Sequence, residues 1–483
     1  MRALGRRGGL ITGAVTLVAV AALGGGSAAA VARQAAPASP EARVETYLDQ
    51  IRSDPGRLRE FLHDLPKGAD IHTHLTGAAP TRQLLAFAER DGLCINTTTV
   101  TATSPPCTTG QRPAADAKTD LLFRDQILRS WSMQAFTPGK ETGHDHFFAT
   151  FAKWGPASSH TGELLAGFAS EAADQHESAL EVFSSTQSGA ARALGTQAGY
   201  DPDFAAMRAK LLANGAMDKL VTAARGDTDS AMTTMRSTLR CGQGDADPAC
   251  TLPVRFDFQA QRTYAPEAVF AMMVLAFELA EQDSRWVAVN LVAPEDDPVA
   301  LRDYRLHMSM LGFLRKQYRK AHITLHAGEL APGLVPPAEL KYHIRSAVET
   351  AGAERIGHGV DIASETDSAG LLREMARKNV LVEINLTSNC QILVVCGKKH
   401  PFALYRKAGV PVTLSTDDEG VEHTDLTSEY VRAVTTFHLH YRDLKTIARA
   451  SLAYSFLQPD AKAAAQKAQQ ADFTAFEDLF GNA

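Results

Sequence analysis

His72 and His74 stand two residues apart in Ala-Asp-Ile-His-Thr-His-Leu, a spacing that suits metal ligation. In an extended strand, residues i and i+2 share a face. Two polar rings pointing into one packed interior are costly unless something uses their lone pairs, and a metal ion does. His326, in Leu-His-Ala-Gly-Glu, closes another apolar run and offers a third nitrogen. Asp417, after Val-Thr-Leu-Ser-Thr, offers a carboxylate. Three neutral imidazoles and one carboxylate suit a single Zn²⁺ per chain with a position left for water, and cobalt or iron would fit the same donors. Such an ion lowers the pKa of bound water to about 7. An isolated Asp417-Asp418 pair would read as a helix cap or turn; its place at a strand end, in register with the histidines, argues for ligation.

Three neighbours complete the chemistry. Gly328-Glu329 follows His326 directly; the glycine admits close backbone approach to a ligand, and Glu329 sits near the metal without having to bind it, a place for a general acid/base. His358 lies between glycines in Ile-Gly-His-Gly. It is a fifth ligand or a base that orients bound water, and four protein ligands plus water favour the base.

Elements that gather such distant residues must end at one mouth. Runs rich in Val, Ile and Leu, as parallel strands covered on both faces are, predict strands at 70–75, 179–185, 254–262, 286–292, 322–326, 355–358, 380–386 and 412–416. Amphipathic stretches at 264–283, 300–320, 337–351 and 368–378 alternate with them. That βαβα order and strand number predict an α/β fold, a (β/α)8 TIM-type barrel, with extra helices and disulfide-stapled insertions in the long connections after the first two strands. His322 alternates with His326 and is expected inside the barrel, buried and hydrogen-bonded. The 146–154 stretch has helical apolar spacing and reads first as core.

The chain has 483 residues, 45% hydrophobic and 22% charged, enough for one large barrel. Formal net charge is −6, and no block of Lys/Arg with interleaved aromatics supports nucleic-acid binding. Arg2, Arg6 and Arg7, an apolar run from Leu10 to Leu23 and Ala30-Val31-Ala32 read as a secretory signal peptide. The expected organisation is signal peptide 1–32, disordered linker 33–41, helical lead-in 42–66 and barrel 67–483, with no membrane attachment after cleavage. The six cysteines are near neighbours, Cys94/Cys107, Cys241/Cys250 and Cys390/Cys396, so proximity favours three local disulfides in an oxidising compartment. The oligomeric state is not readable from these features.

The motifs Pro66-Lys-Gly68…His72-Thr-His74-Leu-Thr-Gly77, Leu325-His-Ala-Gly-Glu329, Arg355-Ile-Gly-His-Gly359, Ser415-Thr-Asp-Asp418 and Asn290-Leu-Val-Ala-Pro-Glu295 resemble the adenosine deaminase family of amidohydrolase barrels. The secreted character and the Pro66-Lys-Gly68 lead-in resemble that family's extracellular growth-factor branch, and the rest is similar to its exported bacterial members. The resemblance implies zinc on His72, His74, His326 and Asp417, zinc-activated hydroxide attacking C6, Glu329 protonating N1, His358 taking a proton from water, and Asp418 bonding N7 or the hydroxide. The implied substrate is adenosine or a related purine nucleoside, giving inosine and ammonia, with Thr76, Gly77, Ala293, Gly328 and Asp418 as contacts. Thr76 replaces a ribose-gripping Asp, Ala293 a Gly, and Glu419 a Pro. These departures keep open a different or modified aminopurine, or a non-catalytic extracellular nucleoside-binding protein.

Overall fold

Eight short runs, each buried along most of its length, pair in parallel and in chain order. They are β1 Gly68–His74, β2 Glu177–Ser184, β3 Val254–Gln261, β4 Trp286–Val292, β5 His322–Ala327, β6 Arg355–His358, β7 Leu381–Ile384 and β8 Val412–Leu414. Backbone bonds between the strand ends close the ring: His74 N–H donates to Asp417 O and Asp417 N–H to His72 O, both at 2.9 Å. The computed structural model describes residues 39–139 and 141–481. The expected signal peptide and most of the expected linker lie outside the described residues.

The closed ring of parallel strands with helices outside is a TIM-type barrel, as the alternation of elements predicts. β1 and β4 are buried at every position because helices cover one face and the barrel interior the other. Helix Pro266–Gln282 is apolar nearly all round, since it is packed between β4 and the neighbouring helix Ser188–Ala198. Two lead-in helices, Pro40–Ile51 and Pro55–His63, precede β1, so helix begins inside the segment expected to be linker. Lys67 fastens them to the barrel: its buried ammonium donates to His63 O at 2.7 Å and Gln175 O at 2.6 Å. Among the described residues no helix is long and apolar enough to cross a membrane.

Four expectations change. The connection after β1 carries a small antiparallel sheet (Cys94–Asn96, Ala102–Thr103, Gln111–Pro113) as well as helices. The stretch 337–351 is not one helix: it breaks into a 3₁₀ turn at Glu339–Lys341, a helical turn at His343–Ser346 and a π-type turn at Ala347–Ala351, which lets His343 face inward. The seventh strand stops at Ile384, and Leu386 opens helix Leu386–Leu393. His322 is not buried. It lies at the barrel floor with its side chain 41% exposed, bonded to Glu354 and stacked on Phe456, because it is the first residue of its strand. The three local disulfides join Cys94–Cys107, Cys241–Cys250 and Cys390–Cys396.

Candidate active site

The C-terminal ends of β1, β5 and β8 bring His72, His74, His326 and Asp417 together. One donor atom from each lies within 4.8 Å of all the others, and all four residues are buried. Nε2 of His74 is 3.1 Å from Nε2 of His326 and 3.2 Å from Asp417 Oδ1, and His72 Nε2 is 3.4 Å from the same oxygen. The far side of each ring is held: His72 Nδ1 bonds Glu383 Oε2 at 2.6 Å, His74 Nδ1 bonds Gln259 Oε1 at 2.7 Å, and His326 Nδ1 meets the Asn290 amide. Bonds of this kind fix ring orientation and leave Nε2 free for a metal. His72 Nε2 is buried without a hydrogen-bond partner, as a ligand atom awaiting a cation would be. Burial would lower the His72 imidazole, but Asp417 and Glu383 raise it to about 10. A divalent cation would replace the proton those two carboxylates call for. The donor set therefore fits a metal.

Glu329 and His358 stand beside this cluster, with His358 Nε2 3.9 Å from Glu329 Oε2 and 3.7 Å from Asp417 Oδ2. Burial, with the Asp417 and Glu295 carboxylates nearby, pushes the Glu329 carboxyl well above its usual range. Burial and Asp417 bring Asp418 up to about 7. Burial holds His358 down at about 3. Asp417, which burial alone would raise, is kept far below the carboxylate range by His358 and His72.

A cavity of about 380 Å³ opens over the cluster, lined by His74, Thr76, Gln259, Gln261, Ala293, Glu329, Asp417 and Asp418. Phe147, Phe148 and Phe151 of helix Gly143–Trp154 form its apolar wall, so the stretch expected to be core also faces the cavity. Among the described residues no lysine or arginine lines it. Of the residues expected to contact substrate, Thr76, Ala293 and Asp418 line this cavity. Gly77 and Gly328 lie behind the surface. A Cβ on Gly77 would overlap the Asp418 carboxylate, and one on Gly328 (φ +73°) would meet Asp361 and Ile344. Ala293 adopts φ +77°, the left-handed region where glycine is usual. Gly77→Ala is expected to displace Asp418 and lower kcat by about 10- to 100-fold with metal content unchanged. Unaltered kcat would show that Asp418 need not sit where it does.

Several residues in the site were assigned no role from the sequence. Glu295 accepts the backbone N–H of Gly328 at 3.1 Å and of Glu329 at 2.8 Å, and is itself held by His343 Nδ1 at 2.6 Å. Arg262 is fully buried and donates to Leu291 O and His326 O. Glu383 and Gln259 orient ligands, and Asn385 and Asn389 meet His358. A lone charge in an apolar run, as in Leu-Val-Glu383-Ile, is the available signal, since a buried carboxylate needs a partner. His144 pairs with Asp296 at 3.0 Å beside the Glu295 loop. His146 turns away to Glu141 and Ser132 O.

Fold and site together define a (β/α)8-barrel protein with a buried three-histidine, one-aspartate cluster at its mouth. The family model described as adenosine deaminase matches residues 200–468. The chain belongs to the adenosine deaminase family. It is 37% identical over 141 residues to an adenosine deaminase of Enterococcus faecalis, covering 29% of this chain and 38% of that one. It is 35% identical over 150 residues to one of Clostridium perfringens, covering 30% and 42%. The matched stretches thus span less than half the length of these curated relatives. Among solved structures it resembles adenine deaminase from Arthrobacter aurescens (TM-score 0.55, 14% identity, 84% of this chain and 98% of that one). It also resembles N6-methyl-AMP deaminase from Arabidopsis thaliana (TM-score 0.56, 19% identity, 86% and 98%). A third likeness is an amidohydrolase from Burkholderia ambifaria with bound Zn (TM-score 0.54, 16% identity, 88% and 95%).

Proposed function

We propose that this protein is an exported, zinc-dependent deaminase of adenosine or a closely related neutral 6-aminopurine nucleoside. The observation that carries this reading is a buried Glu329 beside the His72/His74/His326/Asp417 cluster, both facing one cavity, with burial and the nearby carboxylates pushing its carboxyl well above the usual range. When bound there, the metal acts as a Lewis acid that makes water a nucleophile near neutral pH. Glu329 holds its proton for the ring nitrogen next to the amino-bearing carbon, which makes that carbon electrophilic. Water adds to the carbon, and the amino group leaves as ammonia. Asp418, at the cavity edge, accepts a hydrogen bond from the attacking water or the purine. Glu295 fixes the Gly328-Glu329 backbone through two N–H bonds, so the acid reaches its target without a search.

The phenylalanine wall suits the purine face, and the absence of a described cation in the lining disfavours a 5′-phosphate. The three disulfides support an oxidising compartment. The test is ammonia release from adenosine, deoxyadenosine, adenine, AMP and N6-methyladenosine by metal-replete protein. Adenosine or deoxyadenosine should exceed AMP in kcat/KM by about 100-fold or more, the value of one unmet charge-assisted contact. Preference for AMP would overturn the nucleoside assignment. Binding of adenosine without ammonia release would favour a nucleoside-binding role instead. Thr76 at the cavity edge motivates the modified purine in the panel.

A further inference from the structure

We infer that Asn389 and His400 hold His358 as the tautomer protonated on Nε2, so that its ring serves as a hydrogen-bond donor to the reacting oxygen and not as the base that takes the water's proton. The catalytic meaning rests on the deaminase reading; the tautomer rests on geometry alone.

The argument starts from a group with one possible role. The backbone N–H of Phe402 can only donate, and it lies 3.1 Å from His400 Nδ1. That nitrogen is therefore the acceptor, and a neutral imidazole then carries its proton on the other nitrogen. His400 Nε2 lies 2.9 Å from Asn389 Oδ1 and donates to it. This fixes which end of the Asn389 amide is oxygen, a choice otherwise ambiguous in an isolated amide. Asn389 Nδ2 is left facing His358 Nδ1 at 2.9 Å as a donor. Asn385 brings a second amide nitrogen to the same atom at 3.4 Å.

His358 Nδ1 thus meets only donors and must present its lone pair. The proton of the neutral ring sits on Nε2, which has no hydrogen-bond partner and points between Asp417 Oδ2 and Glu329 Oε2. His358, Asn385, Asn389 and His400 are all buried, so water does not compete for these bonds. Burial also pushes the His400 imidazole down to about 3, keeping the relay neutral. The Cys390–Cys396 disulfide begins at the residue after Asn389, and Val395 N–H donates to Asn389 O at 3.1 Å, so the loop that carries the amide is tied in place.

A ring already protonated on Nε2 has no lone pair there for a proton from water. It can donate to the oxygen as negative charge grows on it. The water's proton passes instead to the Asp418 carboxylate, whose Oδ1 is buried without a partner. The oxygen–carbon bond forms with the pair left on water. The carbon–nitrogen π pair moves to the ring nitrogen and takes the Glu329 proton. The proton on Asp418 then passes to the amino group, the exocyclic carbon–nitrogen bond breaks and ammonia leaves with that pair, and the hydroxyl proton returns to Glu329 as the carbonyl forms. Asn389 and His400 are positioning residues in this scheme, since neither touches the reacting atoms.

The test is nitrogen NMR of zinc-loaded, ¹⁵N-histidine-labelled full-length protein without substrate, with the His358 signals assigned by their loss in His358→Gln. The expected spectrum shows His358 Nδ1 as an unprotonated acceptor and Nε2 as a protonated nitrogen. Asn389→Asp places an acceptor against Nδ1 and is expected to move the proton there, lowering kcat by at least about 100-fold with KM little changed. A wild-type His358 protonated on Nδ1, or one whose Nε2 is bound to zinc, would overturn the inference. So would an Asn389→Asp spectrum with the tautomer unchanged. If Asn389→Asp does not fold, the wild-type spectrum alone decides. Protein that shows the Nε2–H tautomer but releases no ammonia from any purine sinks the deaminase reading and leaves the tautomer standing.

Discussion

Glu329→Gln is expected to lower kcat/KM for adenosine by about 10²- to 10⁴-fold, the range that positioned acid–base groups contribute, while metal content and melting temperature stay near those of the parent. The amide keeps the volume of the carboxyl and can still donate a hydrogen bond, but it has no proton to give to a ring nitrogen. The carboxyl has one to give, and burial with two neighbouring carboxylates, Asp417 and Glu295, pushes its pKa well above the usual range. Its backbone is fixed independently of its side chain by the Glu295 contact at 2.8 Å, so the substitution should not shift the loop. The measurement is steady-state loss of the adenosine ultraviolet band together with metal analysis of the same sample. Activity within about tenfold of the parent would mean that another group protonates the purine, well short of the effect expected of a lost acid.

The candidate metal-ligand cluster was legible because its residues sit at strand ends and two of them alternate. His72 and His74 announce one face, and the apolar runs before His326 and Asp417 place those residues at the same end of the barrel. The groups that hold the cluster were not legible. Glu383 is 311 residues from His72, and Asn389 has no neighbour in sequence that hints at His358. Their partners are set by barrel closure, which no local pattern records. The same limit explains His322. Alternation assigns it correctly to the inward face but says nothing of depth, and the first residue of a strand lies at the open floor. The break in 337–351 is also tertiary in origin: Tyr342 is non-helical, and His343 after it bonds Glu295 and stacks on Tyr304 at 3.7 Å.

Arg355 joins the stability of the barrel to the integrity of the site, and Arg355→Met should damage both. Its buried guanidinium lies 2.6 Å from Glu181 Oε2, 3.0 Å from Asp257 Oδ2 and 2.6 Å from Glu383 Oε1, and it stacks 3.9 Å over Phe456. Three carboxyls share one cation. Burial and Glu181 push Asp257 above its usual range, against the pull of Arg355. Burial alone would raise Glu383 as well, but Arg355 and His72 hold it below its usual range, as an anion able to grip His72 Nδ1. Methionine fills similar space but leaves these acids without their cation. Removing one partner of a buried ion pair costs about 3–5 kcal/mol. Glu383 would then protonate more readily and hold His72 less firmly. Loss of a group that orients a metal ligand weakens metal binding by about 10- to 100-fold. Arg355→Lys should recover little, because one ammonium cannot reach three carboxylates lying around a planar fork. The two readouts are the denaturant midpoint and competition for zinc with a chelator of known affinity. A variant with unchanged midpoint and unchanged zinc affinity would show that the three acids neutralise themselves and that the arginine neither braces the floor nor reaches the site through Glu383.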